Sequence, residues 1–272
     1  AMLHKIVATK KQEVERLRAE VSLAEMERLI ADLPPCLSLK RRFLERRRPV
    51  GVIAEVKKAS PSKGLIRDPF DPLAIARAYE AADVEGMSVL TDAPYFQGHL
   101  SYLRNIKEGL TKSIPLLRKD FLIDPLQLYE ARAHGADVVL LIAAILDKKS
   151  LCWMAEEARA LGLEILVEVH TAEELDTVLD AVEPDLLGIN NRDLKTFTTS
   201  LATTLNLLGQ LPQSTVTISE SGIHSPDHIM TLMEAGIDGV LVGEHFMRQA
   251  NVEQAVCSLV GHAAYASKGA SR

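Results

Sequence analysis

From residue 51 onward, short apolar runs rich in branched residues alternate with longer stretches of helical period, eight times over. The runs are GVIAEVK (51–57), GMSVLTD (86–92), PLLRKDF (115–121), DVVLLIA (137–143), LEILVEV (163–169), LLGIN (186–190), TVTISE (215–220) and GVLVG (239–243). Between them DPLAIARAYEAA (71–82), DPLQLYEARAHG (124–135), KSLCWMAEEARALG (149–162), TAEELDTVLDAV (171–182) and SPDHIMTLMEAG (225–236) carry the spacing of one-sided helices. Strands that are apolar on both faces and joined by helices belong to a parallel sheet covered on both sides. Eight such units in about 200 residues suffice for a closed (β/α)8 barrel. The pattern therefore predicts a single (β/α)8 TIM barrel over 51–262. The alternative is an open doubly wound sheet, but no Gly-x-Gly-x-x-Gly follows the first run to support it.

Several helical stretches open on Asp, Ser or Thr, often with Pro next, and close on Gly135, Gly162 or Gly236. Residues 2–50 also read as helices, interrupted at Pro34-Pro35, and are expected to form an N-terminal helical extension packed on the barrel. Residues 263–272 are expected to be a mobile C-terminal tail. Ala1 ahead of Met2 reads as an added residue.

The net charge is −6, which does not suggest a nucleic-acid partner. The first 50 residues nevertheless hold 12 Lys and Arg against 7 Asp and Glu. The cluster Lys40, Arg41, Arg42, Arg46, Arg47 and Arg48 is expected to be a solvated helix face. A polyanion site, or one base turned toward the barrel mouth, are the other readings. Three distant cysteines, Cys36, Cys152 and Cys257, form neither a disulfide framework nor a zinc site, so a reduced cytoplasmic setting is expected. The apolar run VVLLIAAIL (138–146) is too short to span a bilayer as a helix, and no membrane partner is expected.

Seven of the eight runs end in polar or glycine residues. They close with Glu55 and Lys57; Thr91-Asp92; Arg118-Lys119-Asp120; Glu168 and His170; NNRD (190–193); Glu220-Ser221-Gly222; and Gly243-Glu244. One charged strand end is ordinarily a surface residue or an ion pair. A ring of them at the C-terminal face of a barrel is the place where barrel enzymes work. Lysines and carboxylates of mixed sign can hold one another ionised despite burial, and can then give and take protons. Gly222 and Gly243, after the seventh and eighth runs, suit a phosphate approached by backbone N–H groups. His170 and His99 stand alone in sequence and are expected to be structural or peripheral. Asp92 and Asp120 are expected to orient lysines and cap loops as readily as to react. No metal-ligand cluster is visible.

The pieces IAEVKKASPSKG (53–64), SVLTDAPYFQG (88–98), LLRKDFLID (116–124), EILVEVHT (164–171), GINNRDLKTF (188–197), ISESGI (218–223) and GVLVGEHFMR (239–248) together resemble the indole-3-glycerol phosphate synthase family. The resemblance implies ring closure of 1-(2-carboxyphenylamino)-1-deoxyribulose 5-phosphate with loss of carbon dioxide and water, a step of tryptophan biosynthesis. No metal and no organic cofactor is implied. Lys119 would be the general acid on the substrate ketone. Glu168 and Lys57 would serve the loss of water, in either order of giving and taking the proton. Glu55 and Asn190 would position Lys119 and the ribulose hydroxyls, and Glu220 and Ser221 would line the mouth. Lys57 could also hold the substrate carboxylate. Ser60, Arg192, Gly222 and Gly243 would hold the phosphate, and Phe96 would cover the anthranilate ring. The expected partner is a phosphorylated small molecule bound by a monomer.

Two departures from the family pattern stand out. Ala93-Pro94 replaces charged residues in the second loop, and Glu244-His245 follows Gly243, where a carboxylate would repel a phosphate unless turned away. A phosphoribosylanthranilate isomerase would need a Cys at the end of the first strand, where this chain has Glu-x-Lys. A non-catalytic phosphosugar-binding barrel would not need Lys57, Lys119 and Glu168.

Overall fold

A computed structural model describes residues 1–263 of the 272-residue chain. Of the expected tail, 264–272 lie outside the described residues. Eight parallel strands close into a barrel: β1 (Gly51–Val56), β2 (Gly86–Leu90), β3 (Leu116–Lys119), β4 (Val138–Ile142), β5 (Glu164–Val169), β6 (Leu186–Asn190), β7 (Thr217–Glu220) and β8 (Gly239–Val242). Each strand pairs with its sequence neighbours, and β1 pairs with β8 to close the ring. This is the expected TIM barrel. A small antiparallel hairpin, Ala59–Ser60 with Gly64–Leu65, stands after β1.

Three helices precede the barrel: α1 (Met2–Glu20), α2 (Leu23–Ala31) and α3 (Leu39–Leu44). The outer layer is α4 (Pro72–Ala81), α5 (Ser101–Gly109), α6 (Pro125–Ala133), α7 (Lys148–Ala160), α8 (Ala172–Ala181), α9 (Ala202–Leu208), α10 (Pro226–Glu234), the short α11 (Glu244–Met247) and α12 (Val252–Val260). Their starts are set locally. Asp71, Asp147, Thr171 and Ser225 each accept a backbone N–H of the first turn, and Asp124 with Gln127 forms a reciprocal capping box.

Two concentric cores follow from the two faces of each strand. The outer core lies between strands and helices and includes Val52, Ala54, Val89, Val139, Val167 and Leu187. The inner core fills the barrel with Ile53, Leu117, Leu140, Leu166, Ile218 and Leu241. Side chains alternate between faces along a strand. Positions two residues beyond the inner apolar layer therefore also point inward, one layer nearer the C-terminal end. Those positions are Glu55, Lys119, Glu168, Glu220 and Gly243.

The extension runs past the barrel from one end to the other. At the C-terminal end, Lys10 of α1 is 1 % exposed and pairs with Asp92 and, at 2.9 Å, with Asp120. The Thr9 and Tyr95 hydroxyls share a hydrogen bond of 2.6 Å. Asp92 and Asp120 thus orient a lysine, but one that comes from the extension. Helix α2 lies along α6. At the N-terminal end, Phe43 of α3 is fully buried under the strand starts. A Cβ on Gly239 would lie 2.1 Å from its ring and one on Gly51 2.6 Å, so both positions must be bare for the ring to seal the barrel.

The basic cluster is neither a uniformly solvated face nor a contributor to the mouth. Arg42 donates to the Val84 carbonyl at 2.8 Å, Arg46 to the Phe43 carbonyl at 3.0 Å, and Arg48 to the Asp83 and Gly261 carbonyls at 2.8 and 3.0 Å. These bases tie loops together at the end opposite the acid–base residues. Arg41 and Arg47 remain exposed.

Candidate active site

A cavity of about 970 Å³ opens at the C-terminal end of the barrel. All twelve residues singled out in the sequence line it: Glu55, Lys57, Ser60, Phe96, Lys119, Glu168, Asn190, Arg192, Glu220, Ser221, Gly222 and Gly243. They come from the C-terminal ends of the barrel strands and from the segments that follow them. Glu55 on β1 is in register with Ser88 on β2, Glu168 on β5 with Gly188 on β6, and Asn190 on β6 with Glu220 on β7.

Glu55 is the electrostatic hub. Its Oε2 accepts from Lys119 Nζ at 2.9 Å and from Ser88 Oγ at 2.7 Å, while Oε1 lies 3.5 Å from Lys57 Nζ. Tyr79 donates to the Glu55 carbonyl at 2.7 Å and fixes the strand end. Burial alone would raise the Glu55 carboxyl, but the Lys119 and Lys57 ammonium groups outweigh it and hold it at about 2. The two lysines respond differently. Burial disfavours charge on Lys119, yet Glu55, Glu220 and Glu168 overcome it and raise its pKa. At Lys57 burial wins over Glu55, helped by repulsion from Lys119, and its pKa is lowered.

Glu220 also acts on Lys119 and favours its charged form. It is buried, and its Oε2 has no hydrogen-bond partner among the described residues. Burial and neighbouring Glu168 push its carboxyl well above the usual carboxylate range, against the pull of Lys119. Space for it comes from Gly188, where a Cβ would lie 2.1 Å from Glu220 Oε2.

Directly after β7, Ser221 holds a φ of 74°, an uncommon conformation for a residue with a side chain. Its Oγ donates to Asn190 Oδ1 at 2.8 Å, and its carbonyl accepts from Asn191 Nδ2 at 3.1 Å. Arg192 N–H also donates to Asn190 Oδ1, at 3.0 Å. With its oxygen so engaged, Asn190 offers its amide NH2 to a ligand. Ser60, Arg192, Gly222 and Gly243 line the same cavity, whereas Glu244 turns its carboxylate to Arg248 Nε at 3.2 Å. The guanidinium thereby offsets the negative charge of Glu244. Phe96 faces Phe121 with ring centroids 5.9 Å apart and forms an apolar wall.

Several lining residues were not foreseen. Met2, Leu3 and Ile6 of α1 roof the cavity, and Phe121, Phe197 and Arg248 add to its walls. The one-turn spacing of Glu244 and Arg248 was visible in the sequence, whereas the docking place of α1 was not. His170, expected to be structural or peripheral, lines the cavity with its Nε2 3.6 Å from Glu168 Oε2. Its place one residue past the end of β5 and two past Glu168 was the available signal. His99 does lie outside, exposed and bonded to Ser101.

Proton donors and acceptors gathered at the C-terminal mouth of a closed parallel barrel define an acid–base enzyme on the TIM-barrel scaffold. Solved structures agree on the scaffold. The 3-hexulose-6-phosphate synthase from Salmonella typhimurium superposes with a TM-score of 0.61 at 13 % identity, over 77 % of this chain and 96 % of that one. The family model of indole-3-glycerol phosphate synthase matches residues 3–259. The enzyme of that name from Geobacillus kaustophilus (strain HTA426) is 49 % identical over 260 residues, covering 96 % of this chain and 97 % of the relative. That from Geobacillus sp. (strain WCH70) is 48 % identical over 258 residues, covering 95 % and 96 %. The chain belongs to the indole-3-glycerol phosphate synthase family.

Proposed function

We propose that this chain closes the indole ring of indole-3-glycerol phosphate from 1-(2-carboxyphenylamino)-1-deoxyribulose 5-phosphate, releasing carbon dioxide and water, and so serves tryptophan biosynthesis as a carboxy-lyase. The observation that carries this reading is the Lys119–Glu55–Lys57 cluster facing Glu168 and Glu220 in one cavity. Membership of the family supplies the substrate.

The electrostatics divide the work. Lys119, whose pKa is raised, stays an ammonium and gives its proton to the ketone oxygen only as that oxygen becomes basic under attack by the ring carbon. Carbon dioxide then leaves, and the ring regains aromaticity. Lys57 has a lowered pKa and is the more acidic ammonium. It suits the harder donation, to the hydroxyl that departs as water, after first pairing with the substrate carboxylate. Glu168 then takes the proton lost from the carbon beside the ring nitrogen. Glu55 keeps both lysines in place, and Asn190 binds a ribulose hydroxyl. Glu220 donates as a neutral acid, and Ser221 lines the mouth beside it. Ser60, Arg192, Gly222 and Gly243 hold the phosphate, and Phe96 covers the anthranilate ring.

These proton transfers lie within reach of the chain's own lysines and carboxylates, so the reaction as proposed uses no metal and no organic cofactor. Among the described residues no helix is long and apolar enough to cross a membrane, in keeping with work in the cytoplasm.

Mixing the purified protein with the carboxyphenylamino-deoxyribulose phosphate should generate indole fluorescence, and Lys119→Ala should slow it by about a hundredfold or more. A parent protein that yields no indole product would remove the proposed activity. A Lys119→Ala protein as fast as the parent would remove the role of that lysine.

A further inference from the structure

His170 follows Glu168 by two residues, just past the end of β5, and lines the same cavity. The ring Nδ1 lies 3.3 Å from Glu174 Oε1 on α8, and the same oxygen accepts the His170 backbone N–H at 2.8 Å. A carboxylate can only accept, so in the neutral ring Nδ1 carries the proton and Nε2 presents a lone pair. Nε2 is buried, lies 3.6 Å from Glu168 Oε2, and has no hydrogen-bond partner among the described residues. Buried polar atoms are almost always partnered. This one faces the carboxyl that must be charged and discharged once in every turnover.

We propose that His170 is the proton relay of Glu168, held in register by Glu174. The inference rests on the assignment of Glu168 to the loss of water. When Glu168 has taken the proton from the substrate carbon, its new O–H bond breaks toward Nε2 and a bond to Nε2 forms. The carboxylate is restored and the imidazolium stands between Glu168 and Glu174. The proton then leaves Nε2 for water entering the cavity. Nothing is oxidised or reduced, and no co-reactant is consumed. His170 acts through Glu168 and is in that sense a positioning residue.

The charged groups facing the ring are Glu168 on β5, Glu174 on α8 and Asp193 in the loop after β6. Burial disfavours the imidazolium, but the Glu174 hydrogen bond and the three carboxylates outweigh it and raise the pKa above the ordinary histidine value. Below that raised value Nε2 already carries a proton and cannot accept another. The rate should therefore fall as pH drops through it.

The test is kcat and KM as functions of pH. In His170→Asn, kcat should fall about tenfold or more with KM nearly unchanged, and the acid limb should vanish. Added imidazole should restore part of the rate in His170→Ala. Glu174→Gln removes one of the facing charges and should move the acid limb to lower pH. That variant decides the matter if the His170 variants do not fold. An acid limb unmoved in Glu174→Gln, or a folded His170→Asn with the parent's kcat and profile, overturns the relay. An inactive parent protein overturns the proposed function instead, so the two failures are distinguishable.

Discussion

Glu220 shows how one residue can serve the site at a cost to the fold. Burial beside Glu168 keeps its carboxyl protonated well above the usual range. A group whose folded pKa is raised favours the folded state below its unfolded value, and that contribution is lost as pH climbs through the folded value. At neutral pH Glu220 therefore weakens the fold. Glu220→Gln keeps the shape and removes the titration. Its Tm at neutral pH should rise by about 2–4 °C, the shift that about 1 kcal/mol gives a chain of this size, while kcat falls. A melting temperature at or below the parent's would contradict this account of the carboxyl. The same residue marks a limit of reading sequence. Its inward face follows from strand alternation, but the need for Gly188 opposite does not, because the contact joins two strands 32 positions apart.

Among the elements, α1 is the one whose place could not be foreseen. The strands were legible because apolar runs and their polar ends repeat eight times, and period-two alternation then assigns each polar end to the interior. Helix α1 shows only an amphipathic pattern, which says that it packs without saying where. The deciding contact is Lys10 with Asp92 and Asp120, three buried charges brought together by tertiary structure. Arg42 and Arg48 were placed on a solvated face for the same reason, since their partners are carbonyls of distant loops. Lys10→Met would leave both aspartates buried without their shared cation, at a cost of about 3–5 kcal/mol. Because Met2, Leu3 and Ile6 roof the cavity, the variant should also show a raised KM and faster proteolytic cutting within α1. If α1 stays as protected as in the parent, Lys10 is not what holds it down.

For the whole molecule, the charged mouth governs the response to acid. Glu55 is held at about 2 and Asp120 below its ordinary value, the latter by Arg118 and Lys10 against burial. Carboxyls with depressed folded pKa values stabilise the native state above their unfolded values and lose that contribution as pH falls through the folded ones. Glu55 thus acts from 4.5 downward to about 2. With Glu220 working in the opposite sense, stability should peak in mildly acidic solution and decline on both sides. The midpoint of urea unfolding should follow that curve, and Lys119→Ala should flatten its acid side. A midpoint that keeps rising as the solution is acidified past 4.5 would show that the cluster does not govern acid stability. Binding Lys10 to Asp92 and Asp120 also imposes an order of events on a chain made from its first residue to its last. The lysine leaves the ribosome long before either aspartate joins the chain, so α1 cannot take its place over the site until the third of the eight strands has been made.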